Sequence, residues 1–187
     1  MGKHIAVYSG SFDPLHIGHR AIMEQLTPAG GFDGCYLVVS PQNPLKSHLP
    51  QHSARERYHN AIAAVSRCPG LRVWVDDIEF GMEPPFYTIR TLDALKAREP
   101  DNRFTLVIGA DNLSVLRQWR DYRRILLEYG VAVYPRTGFD LDALRADLLQ
   151  ENSLYDIAVI EAPLVNISST RIREGMARGE DMSAYLM

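Results

Sequence analysis

Short apolar runs alternate along the chain with segments in which apolar residues recur at helical spacing. The runs have the length and composition of buried strands, and they lie at His4–Tyr8, Cys35–Ser40, Leu71–Val75, Arg103–Gly109, Gly130–Tyr134 and Ile157–Ile160. The other segments predict helices that begin near Gly18 and span Ala54–Ser66, Tyr87–Arg98, Leu113–Tyr129, Leu141–Gln150 and Ser169–Arg178. Apolar strands separated by helices predict an α/β fold, with a doubly wound parallel sheet that binds its ligands at the carboxyl ends of the strands.

Length and composition narrow the classes of protein and partner. The chain has 187 residues with no repeat or linker that would divide it, so we expect residues 1–187 to form a single domain. Its formal net charge of −3 argues against a protein that coats nucleic acid, and we expect no nucleic-acid partner.

The N-terminal apolar run is too short for a secretory signal or a membrane span. That length favours a protein without a membrane partner. Cys35 and Cys68 have no CxxC spacing, which favours free thiols and a reducing, cytoplasmic location. The oligomeric state stays open.

The loop after the first run carries the first candidate site. It reads Gly10-Ser11-Phe12-Asp13-Pro14-Leu15-His16-Ile17-Gly18-His19. Two histidines three residues apart at a helix start share one face of the helix. Gly10 lets the backbone approach a phosphate, and free N–H groups at a helix start favour an anion. The loop is therefore a candidate triphosphate cradle, although His16 could instead cap a turn while His19 lies at the surface.

A second candidate site lies near the C-terminus, at Ile167-Ser168-Ser169-Thr170-Arg171-Ile172-Arg173. Hydroxyl groups and a planar guanidinium at a helix start suit the β and γ phosphates of ATP. The alternative is structural, because Ser168 could simply cap the following helix.

The two segments together resemble the nucleotidyltransferase superfamily whose signatures are (H/T)xGH and ISSTxIR. Class I aminoacyl-tRNA synthetases also carry the letters HIGH, but we find no KMSKS-like segment here. Three further segments are similar to bacterial nicotinate mononucleotide adenylyltransferases: Asn43–Lys46, Pro85–Leu92, and Ile108–Asn112 followed by Trp119. Two positions depart from that family's pattern, since Leu45 stands where a histidine is usual and Arg120 where an aromatic residue often follows the tryptophan.

The resemblance implies a Rossmann-like nucleotidyltransferase fold and transfer of AMP from ATP to nicotinic acid mononucleotide, forming deamido-NAD and pyrophosphate. Mg²⁺ would accompany ATP, and no protein-held metal site is expected. The implied catalytic residues are His16 and His19. The implied ATP-binding residues are Gly10, Ser11, Phe12, Gly109, Asp111, Ser168, Ser169 and Arg173. The implied mononucleotide-binding residues are Asn43, Lys46, Tyr87, Thr88 and Trp119.

Several alternatives stay open at this point. Asp111 could be a helix N-cap, Trp119 could belong to the core, and His48 and His52 are weak candidates for a metal site. Four more arginines are unranked candidates, interpreted mainly as solvated surface charges: Arg55, Arg57, Arg136 and Arg171. A phosphopantetheine adenylyltransferase is the rival enzyme, and a nucleotide-binding module without turnover is the rival of another class.

Overall fold

Residues 2–27, 30–42 and 52–187 are described by the computed structural model, and within them six strands form one parallel sheet. The strands are β1 His4–Gly10, β2 Gly34–Val39, β3 Val73–Asp76, β4 Arg103–Gly109, β5 Val131–Tyr134 and β6 Ile157–Val159. Their order in the sheet is β3-β2-β1-β4-β5-β6. The first three strands therefore extend the sheet to one side of the β1–β4 pair, and the last three extend it to the other side. This arrangement confirms the doubly wound parallel sheet.

Helices cover both faces of the sheet. They are α1 Ile17–Leu26, α2 Ala54–Ser66, α3 Thr88–Arg98, α4 Ala110–Ser114, α5 Tyr122–Arg124, α6 Leu141–Glu151 and α7 Ser169–Ala177. Shorter 3-10 turns span Ile78–Gly81, Leu116–Gln118 and Ser183–Tyr185, and a π-helical turn spans Ile125–Tyr129. None of the helices in the described ranges combines the length and apolar character that crossing a membrane requires.

Strand β1 shows how the sheet makes two cores. Ile5 and Val7 pack into one cluster with α3 and β4, whereas Ala6 and Tyr8 pack into the other with α1 and β2. All four side chains are at most 4% exposed. Successive residues of a strand point to opposite faces, so a central strand covered on both sides must be apolar throughout.

One predicted element is wrong: Leu113–Tyr129 is not a continuous helix. Helix α4 ends at Ser114, Trp119 is extended, and Asp121 adopts a left-handed conformation with φ 52° before α5 begins. Leu116 and Ile125 are nonetheless fully buried, on either side of the break. The apolar spacing therefore reports burial correctly, but burial alone does not require a continuous helix.

Candidate active site

Two neighbouring cavities open near the carboxyl ends of β1 and β4, and Tyr8 and Tyr134 line both of them. The rings of these two tyrosines lie edge to face with centroids 6.1 Å apart. We call the first the histidine cavity, lined among others by His16, His19, Arg136, Ser168 and Arg171. We call the second the aromatic cavity, lined among others by Gly10, Glu79, Tyr87, Thr88, Trp119 and Arg120.

The two histidines are held by the start of α1. His16 is the N-cap residue, and its Nδ1 accepts a hydrogen bond of 3.1 Å from the Gly18 N–H. Its own N–H donates to Nδ1 of His19 at 3.2 Å, and the two rings stack with centroids 3.7 Å apart. A neutral ring whose Nδ1 accepts a hydrogen bond carries its proton on Nε2. The N-cap role of His16 is therefore compatible with its predicted catalytic role, because the Nε2–H group stays available as a donor.

Gly18 leaves space for this packing. A Cβ atom at position 18 would lie 3.0 Å from two atoms of the His16 ring. A larger residue there would require the ring to shift by a few tenths of an ångström.

The charge state of His16 follows from its surroundings. Burial and the nearby Arg136 guanidinium lower the pKa of His16 to about 4. The ring is therefore neutral at pH 7. It can donate a hydrogen bond from Nε2 without bringing a positive charge of its own.

Positive charge in the histidine cavity comes from two arginines that the sequence left unranked. The Arg136 guanidinium lies over the Tyr134 ring, 5.2 Å from its centroid, and its Nε is 3.5 Å from Oδ1 of Asp111. Arg171 lies in the first turn of α7, and its backbone N–H donates to the Ser168 hydroxyl at 3.2 Å. Ser168 is thus an N-cap, as the structural alternative held, and it also lines the cavity.

Ser169 and Arg173 are placed differently from the expectation. In the described residues they line neither cavity. The Ser169 hydroxyl donates to the Pro14 carbonyl at 2.9 Å, and the Arg173 guanidinium donates to the Asp13 carbonyl. In this state both side chains fasten α7 to the loop after β1.

The loop residues before the histidines have distinct positions. Gly10 lines the aromatic cavity, whereas Ser11 and Phe12 are not among the lining residues of the described chain. The Phe12 ring is buried and meets His19 edge to face at 5.3 Å. Phe12 therefore supports the position of the histidine ring.

Gly109 and Asp111 follow β4. Gly109 is the N-cap of α4, which shows that the N-cap alternative for Asp111 is wrong. A Cβ at position 109 would lie 2.3 Å from Oδ1 of Asp111, so the carboxylate lies against the glycine backbone. This oxygen is buried, and among the described residues it forms an ion pair with Arg136 at 3.5 Å but no hydrogen bond.

The aromatic cavity is formed by the start of α3 and by the break that follows α4. Tyr87 is the N-cap of α3, but its N–H donates to the Pro85 carbonyl at 2.9 Å. The amide of Tyr87 is therefore occupied. The amides of Thr88 and Ile89 fall in the first turn, where amides have no intrahelical acceptor. Trp119 packs against the core, as the structural alternative held, and it also lines the cavity.

Asn43 and Lys46 lie outside the described residues, as does His48. The other weak metal candidate, His52, is engaged elsewhere, since its Nδ1 is 2.6 Å from Oδ1 of Asp13. Among the described residues no group of histidine, cysteine and acidic side chains is arranged to hold a metal ion.

Arg57 was interpreted as a surface charge, but it is only 1% exposed. Its guanidinium donates to four backbone carbonyls, those of Ser11 at 2.6 Å, Ser40 at 2.9 Å, Pro41 at 3.0 Å and His52 at 3.2 Å. It thereby joins the segments that follow β1 and β2 and the one that precedes α2. One sequence feature could have revealed it, because Arg57 shares the buried face of α2 with Ala61 and Ala64.

Comparisons with known proteins show the family of this chain. Residues 7–175 match the family described as cytidylyltransferase-like. The chain belongs to that family. Both cavities of this cytidylyltransferase-like protein lie within the matched residues.

Its relatives carry a narrower name. A Bacteroides fragilis protein named "Probable nicotinate-nucleotide adenylyltransferase" is 38% identical over 96% of this chain and 85% of its own length. A Porphyromonas gingivalis protein of the same name is 37% identical over 96% of this chain and 87% of its own. Within the cytidylyltransferase-like family, the chain therefore groups with nicotinate-nucleotide adenylyltransferases.

Solved structures support the fold. A Plasmodium falciparum nicotinic acid mononucleotide adenylyltransferase, solved with NaAD, matches this cytidylyltransferase-like chain with a TM-score of 0.78. The match covers 98% of this chain and 90% of that one at 19% identity. It confirms the Rossmann-like nucleotidyltransferase fold.

Proposed function

We propose that this protein transfers AMP from ATP to nicotinic acid mononucleotide, producing deamido-NAD and pyrophosphate. The observation that carries the proposal is the pair of adjoining cavities on either side of Tyr8 and Tyr134. One holds histidine and arginine donors suited to phosphates, and the other holds aromatic rings and a helix start suited to a pyridine carboxylate. A reaction that joins two nucleotides needs two such sites side by side.

In the proposed reaction, an oxygen of the mononucleotide phosphate attacks the α-phosphorus of ATP. The bond from that phosphorus to the oxygen of the β-phosphate breaks, and pyrophosphate leaves with both bonding electrons. Mg²⁺ enters with ATP as part of the substrate. The Nε2–H groups of His16 and His19 donate to the phosphoryl oxygens on which charge builds, while Arg136 and Arg171 face the leaving phosphates.

The remaining predicted contacts complete the ATP site in this proposal. Gly10 gives the backbone room near the phosphates, and the partly exposed Asp111 carboxylate accepts from a ribose hydroxyl beside Gly109. Ser168, Ser169 and Arg173 are placed at the start of α7, where N–H groups favour an anion. For Ser169 and Arg173 to bind phosphate, ATP must replace their present bonds to the loop carbonyls.

Selection of the acid over the amide rests on the start of α3. The nicotinate carboxylate only accepts hydrogen bonds, whereas the amide of nicotinamide also donates. The first-turn amides of Thr88 and Ile89 offer donors alone. Arg120 adds a positive charge, because its guanidinium lies 6.0 Å from the Tyr87 ring centroid and lines the same cavity. We place Trp119 against the pyridine ring, and we keep Asn43 and Lys46 as mononucleotide contacts on the resemblance alone.

The proposal also keeps two broader expectations. One parallel sheet with two flanking cores supports a single domain. The free thiols of Cys35 and Cys68 support a reducing compartment such as the cytoplasm.

One assay tests the function. The protein is mixed with Mg-ATP and, in turn, nicotinic acid mononucleotide, nicotinamide mononucleotide or phosphopantetheine, and pyrophosphate release is measured. We expect turnover with nicotinic acid mononucleotide, with kcat/KM about tenfold or more above that for nicotinamide mononucleotide. Turnover with phosphopantetheine would favour the rival enzyme, and ATP binding without pyrophosphate release would favour a binding module.

A further inference from the structure

One buried acidic side chain in the aromatic cavity has no part in the chemistry described so far. Glu79 lies in the 3-10 turn after β3 and lines this cavity, although it is only 2% exposed. Its Oε1 accepts a hydrogen bond of 2.6 Å from the Thr91 hydroxyl of α3. Its Oε2 is also buried and has no hydrogen-bond partner among the described residues.

An unpaired buried carboxylate oxygen is costly, and native proteins rarely keep one without a use. Burial raises the pKa of Glu79, while the hydroxyls of Thr91 and Ser40 oppose that shift. The Ser40 hydroxyl is thus close to Glu79, but it donates to the Gln42 carbonyl at 3.3 Å, and Oε2 has no partner of hydrogen-bond geometry among the described residues. Oε2 is therefore an acceptor in the cavity wall that a donor from a ligand can satisfy.

The position of Glu79 indicates which part of a ligand it meets. Ser40 is a close neighbour of Glu79, and its backbone N–H donates to the Gly10 carbonyl at 2.9 Å. Gly10 leads directly into the loop that carries His16. Glu79 thus lies between the loop after β1, where the phosphate is placed, and α3, whose start is assigned to the pyridine carboxylate. In a mononucleotide, the ribose joins these two parts.

We propose that Oε2 of Glu79 accepts a hydrogen bond from a ribose hydroxyl of the mononucleotide substrate. The inference rests on the proposed function and adds a residue that recognises the sugar. A hydroxyl donates to an ionised carboxylate in a strong, charge-assisted hydrogen bond.

The test pairs one substitution with altered substrates. Glu79→Gln keeps an Oε1 acceptor for Thr91 and replaces Oε2 by an NH₂ group. The substrates are nicotinic acid mononucleotide and its 2′-deoxy and 3′-deoxy analogues. We expect the unmodified protein to lose about tenfold or more in kcat/KM with one analogue. Glu79→Gln should lose a similar factor with the parent substrate, lose nothing further with that analogue, and keep its KM for ATP.

The matched control is Thr91→Val, which removes the hydrogen bond to Oε1 and keeps the carboxylate. We expect it to lower the melting temperature while preserving discrimination against the deoxy analogue. If Thr91→Val abolished that discrimination as Glu79→Gln does, Glu79 would be only an anchor for α3. The inference is also overturned if the unmodified protein uses both analogues as well as the parent, a result that does not depend on how any variant folds. Failure to use the parent at all would overturn the proposed function, and this inference with it.

Discussion

The histidine cavity and the aromatic cavity are both lined by Tyr8 and Tyr134, but their other lining residues differ in chemical type. The histidine cavity takes backbone-held imidazoles and arginines from the starts of α1 and α7 and from the end of β5. The aromatic cavity takes rings from the start of α3 and from the broken segment after α4, with one buried carboxylate. The first is suited to stabilising charge during a reaction, and the second to recognising a flat, hydroxyl-bearing molecule. The predictions below test whether the two tasks are separable.

The largest effect is expected from the histidines. His19→Ala should lower kcat by about two orders of magnitude or more, because each removed donor contributes roughly 3 kcal/mol in comparable sites. His16→Asn should do the same while folding normally, since asparagine is a good N-cap. Steady-state kinetics and a thermal melt measure the two properties. Near-normal turnover in a folded variant would contradict the assignment.

Arg57 lies between the loops that serve both cavities, so its removal should harm both. Arg57→Met leaves four carbonyls without their donor, and we expect a loss of about 3 kcal/mol or more in the free energy of unfolding. Arg55→Met on the exposed face of the same helix is the control and should change little. Urea denaturation measures both. Equal stability of the two variants would show that the buried hydrogen bonds are dispensable.

The two cavities should respond to acid in opposite directions. The pKa of His16 falls from 6.5 to about 4 on folding, so its contribution to stability is lost as pH falls through that range. The pKa of Glu79 is raised above 4.5, so its contribution is present below 4.5 and is lost as pH rises through the folded value. Between pH 6.5 and 4, His16→Asn should lose less stability than the unmodified protein, and Glu79→Gln should lose more. Identical pH profiles from urea denaturation would count against both.

Trp119→Ala should affect the aromatic cavity alone. We expect KM for either mononucleotide to rise about tenfold, because stacking and apolar contact are lost without regard to acid or amide. Their ratio and the KM for ATP should stay the same. The control is Trp74→Ala, because Trp74 is half exposed on β3 and lines neither cavity in the described residues. A rise in KM for ATP would show that the cavities are not separable.

The smallest effect concerns the choice between acid and amide. Arg120→Gln should lower the preference for nicotinic acid mononucleotide by about twofold to fivefold, the range expected for an exposed charge. Arg123→Gln, on an exposed neighbour, should leave the preference intact. Competition between the two mononucleotides measures the ratio. An unchanged ratio in Arg120→Gln would leave selection to the helix start alone.

The spacing of apolar residues and the motifs at helix starts were enough to predict most of the fold and several candidate site residues. Strand β4 and helix α2 occupy the predicted ranges, and most other elements differ by one or two residues at their ends. His16, His19 and Ser168 could be proposed from their spacing at helix starts, and all three line the histidine cavity. The sequence did not predict the break around Trp119. The segments before and after it pack on the same core, and together they keep the apolar spacing of one helix.

What the sequence alone determined is the order of the elements, the parallel sheet and the two motif-bearing loops, since each follows from residues near one another in the chain. Tertiary structure decided which side chains contact those loops and which hydrogen bonds they form. It buried Arg57 among carbonyls of three segments and directed Arg173 to the Asp13 carbonyl. It also left one oxygen of Glu79 without a hydrogen-bond partner in the part of the chain that the structure describes. These outcomes depend on atoms brought together from distant positions, and no spacing within a helix or a strand encodes such contacts.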